Sequence, residues 1–431
     1  MIDNVGLRCH PLGFCRLYCL RVTAVSAPPV PVPDTTMTPL ERRSSASLAL
    51  IFALRMLGLF LVLPVFALEA RKYPGGEDTA LVGMAMGIYG LTQGLLQIPF
   101  GIASDRFGRK PVMVVGLAIF AAGSAIAAWA PTLHWLVAGR ALQGAGAISA
   151  AVTALLADQT RDVVRTKAMA LVGASIGLVF AVSLVLSPLL AAYVGLHGLF
   201  TLTAVLAGGG IAVVLWWVPP EPAKHVDQAR AGLLAVLRQP ALLRLNFGVF
   251  VLHAVQLAMW VALPAMLVQA GLVRDLHWQV YLPAVLASFV VMGAVLFPLE
   301  KRGYLRAVFL VAIGLIGVVQ LALLVLSGAQ PGVWTLGLLL LVFFCGFNVL
   351  EASQPSLASR VAPAQARGAA LGVYNTLQSL GFFAGGAVGG WLVQSAGPQA
   401  LFGACALAML AWLVVAWPMQ APAPRGAVNA G

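Results

Sequence analysis

Apolar segments long enough to cross a lipid bilayer recur along almost the whole chain, and they constrain its fold more than any other feature. A helix needs about 20 apolar residues to cross the hydrocarbon. We count twelve such segments, at approximately residues 46–68, 79–101, 111–131, 133–157, 167–190, 196–218, 245–270, 277–299, 305–327, 332–357, 368–394 and 398–417. Because hydrocarbon offers backbone groups no hydrogen-bond partner, each segment is predicted to be a helix.

The charges support the same fold class. Only 9% of the 431 residues are charged, against about 25% in a typical soluble chain. A net charge of +12 is compatible with nucleic-acid binding, but the cations lie in short connections between apolar segments. The sequence therefore predicts an all-α membrane protein whose partner is the lipid bilayer, with no nucleic acid. The five cysteines have no metal-site spacing, so no metal is expected.

The distribution of Lys and Arg predicts the orientation. Of the 26 such residues, Arg55 and Arg140 lie within spans, and Arg71, Lys72 and Arg274 lie in odd-numbered loops. The other 21 lie in even-numbered loops and in the two tails. Cytoplasmic loops carry the excess of positive charge, so both termini are expected in the cytoplasm.

The longest polar interruption divides the spans six and six. Residues 228–238 within it are expected to form a short helix on the membrane face. Translation is expected to begin at Met37, which opens a short basic lead before the first span. The predicted domains are a disordered or untranslated leader (1–36), two six-helix halves (37–218 and 244–417), a cytoplasmic linker (219–243) and a short cytoplasmic tail (418–431).

An internal repeat relates the halves. Gly195 matches Gly397, and Leu199-Phe200 matches Leu401-Phe402, each pair 202 positions apart. Two pseudo-symmetric halves place a binding site at their interface near the bilayer midplane.

Residues 101–110 carry four charges between two spans, in the pattern G-x-x-x-D-R-x-G-R-K. Such a segment cannot lie in hydrocarbon, so we expect a short aqueous loop that turns at Gly101 and Gly108. The pattern resembles the loop between helices two and three of the major facilitator superfamily. That resemblance implies the twelve-helix transporter fold of this family.

The resemblance also implies roles for the charged residues, which include Arg106 and Lys110. In the family, the arginine that matches Arg109 pairs with an acid at the end of the fourth helix, here Asp158. The aspartate that matches Asp105 faces the start of helix eleven, in the other half. A carboxylate is stabilised by the partial positive charge of a helix N-terminus. These contacts are expected to latch the outward-facing state.

Four ionisable residues within the spans are candidates for the transport site: Arg55, Arg140, His253 and Glu351 lie in spans one, four, seven and ten. An ionised side chain at the bilayer centre costs about 2.5–3.5 kcal/mol on insertion scales, so each needs a reason. In the facilitator family these four helices line the central cavity.

Polar neighbours three residues away share a helix face with them: Gln143 follows Arg140, and Asn348 precedes Glu351. The stretch Arg140–Gly144 resembles the family motif R-x-x-Q-G, whose arginine is implicated in proton coupling. Glu351 is the expected proton carrier, with Arg140 as its counter-charge and His253 as the alternative.

Three stretches, residues 54–58, 88–93 and 347–352, resemble the YajR-type branch of drug/proton antiporters. The G-P-x-x-G-G signature of antiporters is degraded around Ser187-Pro188. From the three YajR-like stretches, and despite the degraded signature, we expect a monomeric exporter of a small organic compound in the bacterial inner membrane. It would be driven by the proton gradient without a cofactor. A proton-coupled importer of an anion, with Arg55 and Arg140 binding its acidic group, is the alternative. A membrane-embedded enzyme or sensor is the distant one, because no catalytic constellation lies in the spans.

Overall fold

The computed structural model describes residues 36–221, 236, 238–329, 331–363 and 367–419. The leader up to residue 35, the predicted helix at 228–238 apart from residues 236 and 238, and most of the C-terminal tail lie outside this description. The described helices are α1 (Pro39–Glu69), α2 (Thr79–Phe107), α3 (Arg109–Ala128), α4 (Leu133–Ala145), α5 (Ser149–Asp158), α6 (Asp162–Ala212), α7 (Pro240–Gln269), α8 (Trp278–Lys301), α9 (Leu305–Leu326), α10 (Val333–Val361) and α11 (Arg367–Ala416).

Ten helical stretches of the described chain are long and apolar enough to cross a membrane. Two of them, α6 with 51 residues and α11 with 50, are long enough to cross it twice. The described helices thus supply twelve crossings, with α4 and α5 together forming the fourth. The predicted fold class is confirmed.

Glycines at equivalent positions divide the two long helices. Gly195 in α6 has φ of +59° and Gly397 in α11 has φ of +79°, and both have non-helical backbone angles. Glycine adopts positive φ without the steric penalty that other residues incur. The predicted repeat therefore has a structural counterpart, since a non-helical glycine interrupts the long helix at the same place in each half.

The loop within the charged segment is shorter than expected. Helix α2 continues to Phe107 and α3 begins at Arg109, so only Gly108, with φ of +101°, departs from helical geometry. Gly101 is helical, and our expectation of a turn there is wrong. A helix satisfies its own backbone groups, so α2 can extend beyond the hydrocarbon without a turn.

The fourth span is broken, although the sequence predicts one continuous helix. Helix α4 ends at Ala145 and α5 begins at Ser149. A Cβ atom at Gly146 would lie 3.0 Å from Cβ of Phe120 and would collide with the carbonyl oxygen of Gly116. The break therefore lets the chain pack tightly against α3.

Backbone contacts between α2 and α11 join the two halves. A Cβ atom added at Gly87 would lie 2.7 Å from the carbonyl oxygen of Phe383, and one at Gly83 would lie 2.6 Å from Cα of Gly390. Small residues allow membrane helices to approach this closely. Gly83 and Gly87 thus let the halves meet without intervening side chains.

Candidate transport site

Glu351 and His253 are in contact within the second half. His253 Nε2 on α7 lies 3.2 Å from Glu351 Oε2 on α10. The histidine side chain is 2% exposed, whereas that of the glutamate is 38% exposed. The pair therefore joins a buried imidazole to a partly exposed glutamate side chain, whose Oε2 is itself buried.

The hydrogen-bond partners of the imidazole show which of its nitrogens carries a proton. His253 Nδ1 lies 2.8 Å from the carbonyl oxygen of Val249. A carbonyl can only accept a hydrogen bond, so Nδ1 carries a proton and Nε2 is the nitrogen that gains or loses one. Gln378 of α11 completes the group, because its side-chain amide nitrogen lies 2.7 Å from His253 Nε2 and 3.5 Å from Glu351 Oε1.

Asn348 is one turn from Glu351 but has a different partner. Its side-chain amide donates to Ser288 Oγ on α8 at 2.7 Å. Asn348 therefore ties α10 to α8, and the amide beside Glu351 is that of Gln378. Aromatic rings cover the imidazole, with centroid distances of 4.9 Å to Phe382 and 6.0 Å to Phe347.

Arg55 is enclosed within the first half, at 1% exposure. Its guanidinium donates to Ser149 Oγ at 3.0 Å, to Tyr89 OH at 2.9 Å and to the carbonyl oxygen of Gly146 at 3.2 Å. Gly146 lies in the break between α4 and α5, so the broken fourth span presents a carbonyl to a buried cation. The ring of Phe120 lies 5.5 Å from the guanidinium carbon.

Arg140 lies on the other side of Tyr89. Its guanidinium carbon is 5.0 Å from the centre of the tyrosine ring, which is cation–π geometry. It donates to Gln143 Oε1 at 2.9 Å, and Gln143 donates in turn to Ser124 Oγ at 2.7 Å. Among the described residues, Glu351 has its ion-pair contact with His253 and none with Arg140.

Arg109 is the centre of the charged segment. Its guanidinium donates to Asp158 Oδ2 at 3.2 Å and to Ser104 Oγ at 2.7 Å, and it pairs with Asp105. The Asp158 contact is the one that the family resemblance implies. The start of α11, where a contact of Asp105 is expected, borders residues 364–366, which lie outside the description.

Glu221 holds the start of α3. Its carboxylate accepts from the backbone N–H groups of Arg109 at 3.0 Å and of Lys110 at 2.6 Å. The Lys110 ammonium donates to the carbonyl oxygen of Val218 at 2.6 Å, and the Arg106 guanidinium lies 5.4 Å from the Phe107 ring centre. The charged segment is thus fastened to the chain that follows the sixth span.

At the opposite end, an ion pair crosses between the halves. We call this the odd-loop end, because it carries the connections 70–78 and 270–277, and we call the other the tail end. Glu69, 3% exposed in its side chain, pairs with Arg274 of the second half and lies 2.9 Å from Lys72 Nζ. The backbone N–H of Thr79 donates to Gln394 Oε1 across the same junction at 3.0 Å.

Sequence reasoning missed Glu69, Glu221, Tyr89 and Gln378. Lys72 and Arg274 carried a usable signal, because they are two of the three cations outside the positive-inside pattern and both pair with Glu69. Gln378 lies within a predicted apolar span, but its amide is not ionisable, and the site candidates were chosen among ionisable residues and their neighbours. No sequence signal pointed to Glu221, whose role depends on the position of the chain after the sixth span.

Two helical halves that meet along glycine-lined helices, with ionisable side chains inside both halves, are typical of a membrane transporter. The family model described as Major Facilitator Superfamily matches residues 48–386. The chain belongs to this superfamily and is a multi-pass membrane protein, as its charged segment indicated.

Individual relatives agree. The chain is 45% identical over 394 residues to the inner membrane transport protein YajR of Escherichia coli strain K12, covering 90% of this chain and 86% of the relative. It is 28% identical to the multidrug resistance protein MdtH of Yersinia enterocolitica, covering 79% and 84%. The crystal structure of the human organic anion transporter MFSD10 has a TM-score of 0.64 at 20% identity, covering 88% of this chain and all of that one.

The Glu69–Arg274 contact yields a prediction. Arg274→Gln should lower the stability of the protein in detergent by about 1–3 kcal/mol, less than for a fully buried pair because Lys72 still neutralises Glu69. Thermal unfolding measures it. The losses in Arg274→Gln and Glu69→Gln should not add in the double variant, since both remove one interaction. Arg71→Gln, which changes an exposed cation nearby, is the control. Additive losses would contradict the contact.

Proposed function

We propose that this chain is a proton-coupled exporter of a small organic compound in the bacterial inner membrane. The observation that supports the coupling is the His253–Glu351 contact, in which two ionisable side chains lie 3.2 Å apart and the glutamate side chain is partly exposed. A coupled cycle requires a group that is charged in one access state and neutral in the other. Each member of this pair has a charged and a neutral form, so either can meet that requirement.

The arginines serve a different purpose. Arginine keeps its proton in proteins, so neither Arg55 nor Arg140 carries one through the cycle. Their guanidinium groups donate to Ser149, Tyr89, Gln143 and backbone oxygens, which offset part of the cost of burying charge. We infer that they give the first half a fixed arrangement against which the second half moves.

Burial of the arginines weakens the anion-importer alternative. An acidic substrate would have to reach Arg55, which is 1% exposed, and displace its present acceptors. Glu351 is the more accessible charge, and a carboxylate attracts cationic or proton-donating compounds. Relatives named for multidrug resistance and for tetracycline resistance also favour export. Uptake or exclusion of a cationic dye in oriented vesicles separates the alternatives.

The charged segment acts as the latch of the outward-facing state in this proposal. The excess of Lys and Arg in even loops and tails favours a cytoplasmic tail end. Arg109 and Glu221 fix the segment within the first half, and in this proposal the Asp105 carboxylate attracts the start of α11 when the tail end closes. The odd-loop end, with Glu69 and Arg274, closes in the opposite state.

Asp105→Asn tests the latch. Removing the carboxylate charge should weaken the attraction to the start of α11 and reduce the population that is closed at the tail end. Spin labels at Phe107 and Gly368, in a chain without the native cysteines, report this separation. Glu77→Gln, at an exposed acid of the odd-loop end, should leave the populations unchanged. Equal populations in Asp105→Asn and the parent protein would reduce the segment to a topology signal.

Glu351→Gln tests the proton coupling. The amide keeps the shape of the protonated acid but cannot titrate, so substrate should still bind while transport driven by the pH gradient falls to background. Substrate-induced proton release should also vanish. Glu300→Gln changes a carboxylate that contacts Arg360 at 3.0 Å near the tail end and should keep coupled transport. Near-normal coupled transport by Glu351→Gln would make Glu351 structural and leave His253 as the residue to test.

A further inference from the structure

We propose that Gln378 is a positioning residue that conveys the proton occupancy of the His253–Glu351 pair to the contact between the two halves. This inference rests on the proposed proton coupling and adds the route by which a proton changes the conformation. Its starting point is that a short stretch of α11 touches the pair on one side and α2 of the other half on the other.

The side of α11 that faces the pair carries Gln378 and Phe382, which lie one turn apart on the same helix face. The amide of Gln378 is 2.7 Å from His253 Nε2. The ring of Phe382 packs edge-on against the imidazole, with centroids 4.9 Å apart. A change in the protonation of His253 therefore alters contacts with two successive turns of α11.

The side that faces the other half is made of backbone and small residues. Phe383 contacts Gly87 of α2 through its carbonyl oxygen, and Gly390 contacts Gly83 through Cα. Phe382 belongs to both sides, because a Cβ atom at Gly90 would lie 3.0 Å from its Cβ. Contacts this close leave no free space between the helices. A small rotation of α11 therefore either separates α11 from α2 or is opposed by steric overlap.

The chemistry of an amide makes Gln378 sensitive to the proton. A neutral imidazole has a lone pair on Nε2 and accepts from the amide nitrogen of Gln378. When Nε2 binds a proton from water, it becomes a donor, and two N–H groups cannot share one hydrogen bond. Gln378 must then turn its carbonyl oxygen towards His253 or move away. Either response also withdraws its N–H from Glu351 Oε1.

In the part of the chain that the structure describes, few other polar groups lie near the His253–Glu351 pair. Tyr374 of α11 is the neighbouring titratable side chain near Glu351, and its hydroxyl faces Gln354 Oε1 of α10 at 3.5 Å. From α8, Ser288 contacts Asn348 rather than the pair. The described ion-pair contact of Glu351 is with His253 of α7 alone. Gln378 is therefore the neutral group placed to register a proton on Nε2.

The test compares pH-dependent conformations. Spin labels at Glu77 and Ser395, both exposed at the odd-loop end, report the separation of α2 and α11 in a chain without its native cysteines. In the parent protein, the population with separated helices should change across the pH range in which the pair titrates. In Gln378→Met, which keeps the length of the side chain but lacks the amide, that change should fall at least fivefold. Substrate-induced proton release should persist.

Two further variants keep the result interpretable. Gln320→Met replaces a buried glutamine whose amide contacts Met259, away from the pair, and should behave like the parent protein. Gln378→Asn keeps the amide on a shorter stem that no longer reaches Nε2, so it should resemble Gln378→Met and covers the case in which the latter fails to fold.

The outcomes separate this inference from the proposed function. If Glu351→Gln abolishes coupled transport while Gln378→Met and Gln378→Asn keep the full pH-dependent change, the proton site stands and the role of Gln378 is wrong. If Glu351→Gln retains coupled transport, the assignment of Glu351 as the proton carrier is wrong, whatever the Gln378 variants do. A parent protein whose populations do not depend on pH would also overturn the inference.

Discussion

Hydrocarbon cannot hydrogen-bond to a protein, and this constraint governs each polar group in the spans. Arg55 meets it through a serine, a tyrosine and a carbonyl presented by the broken fourth span. Arg140 meets it through Gln143 and the face of Tyr89. The interruption of α4 and α5 therefore serves two ends, since it packs the chain against α3 and supplies an acceptor to a buried cation.

The two halves use their polar residues differently. In the first half, buried cations are bound by neutral oxygens, an arrangement that does not change with pH. In the second half, the ionisable side chains of His253 and Glu351 lie beside the amide of Gln378, and the glutamate is partly exposed. The proposed cycle follows from this difference: one half holds its shape, while the other changes charge and shifts along the glycine contacts of α2 and α11.

The sequence predicted the fold well because membrane crossing is a local property that residue type reveals. The repeat at Gly195 and Gly397 also followed from the sequence, and the Arg109–Asp158 contact was implied by the family resemblance. What it missed depends on distant parts of the chain. The turn expected at Gly101 proved helical, and the fourth span proved broken. The role of Gln378 depends on the packing of α11 against α7, which brings its amide to His253. Glu221 and Glu69 act through partners more than 100 positions away, which no local pattern encodes.

The central claim is that a carboxyl group inside the second half binds and releases a proton during transport. Infrared difference spectroscopy of the reconstituted protein measures this directly, through the C=O stretch of a protonated carboxyl group. The account predicts a band that appears as pH falls, changes when substrate binds and is absent from Glu351→Gln. A protonated-carboxyl band that is unaffected by pH and substrate, or one that persists unchanged in Glu351→Gln, would contradict it.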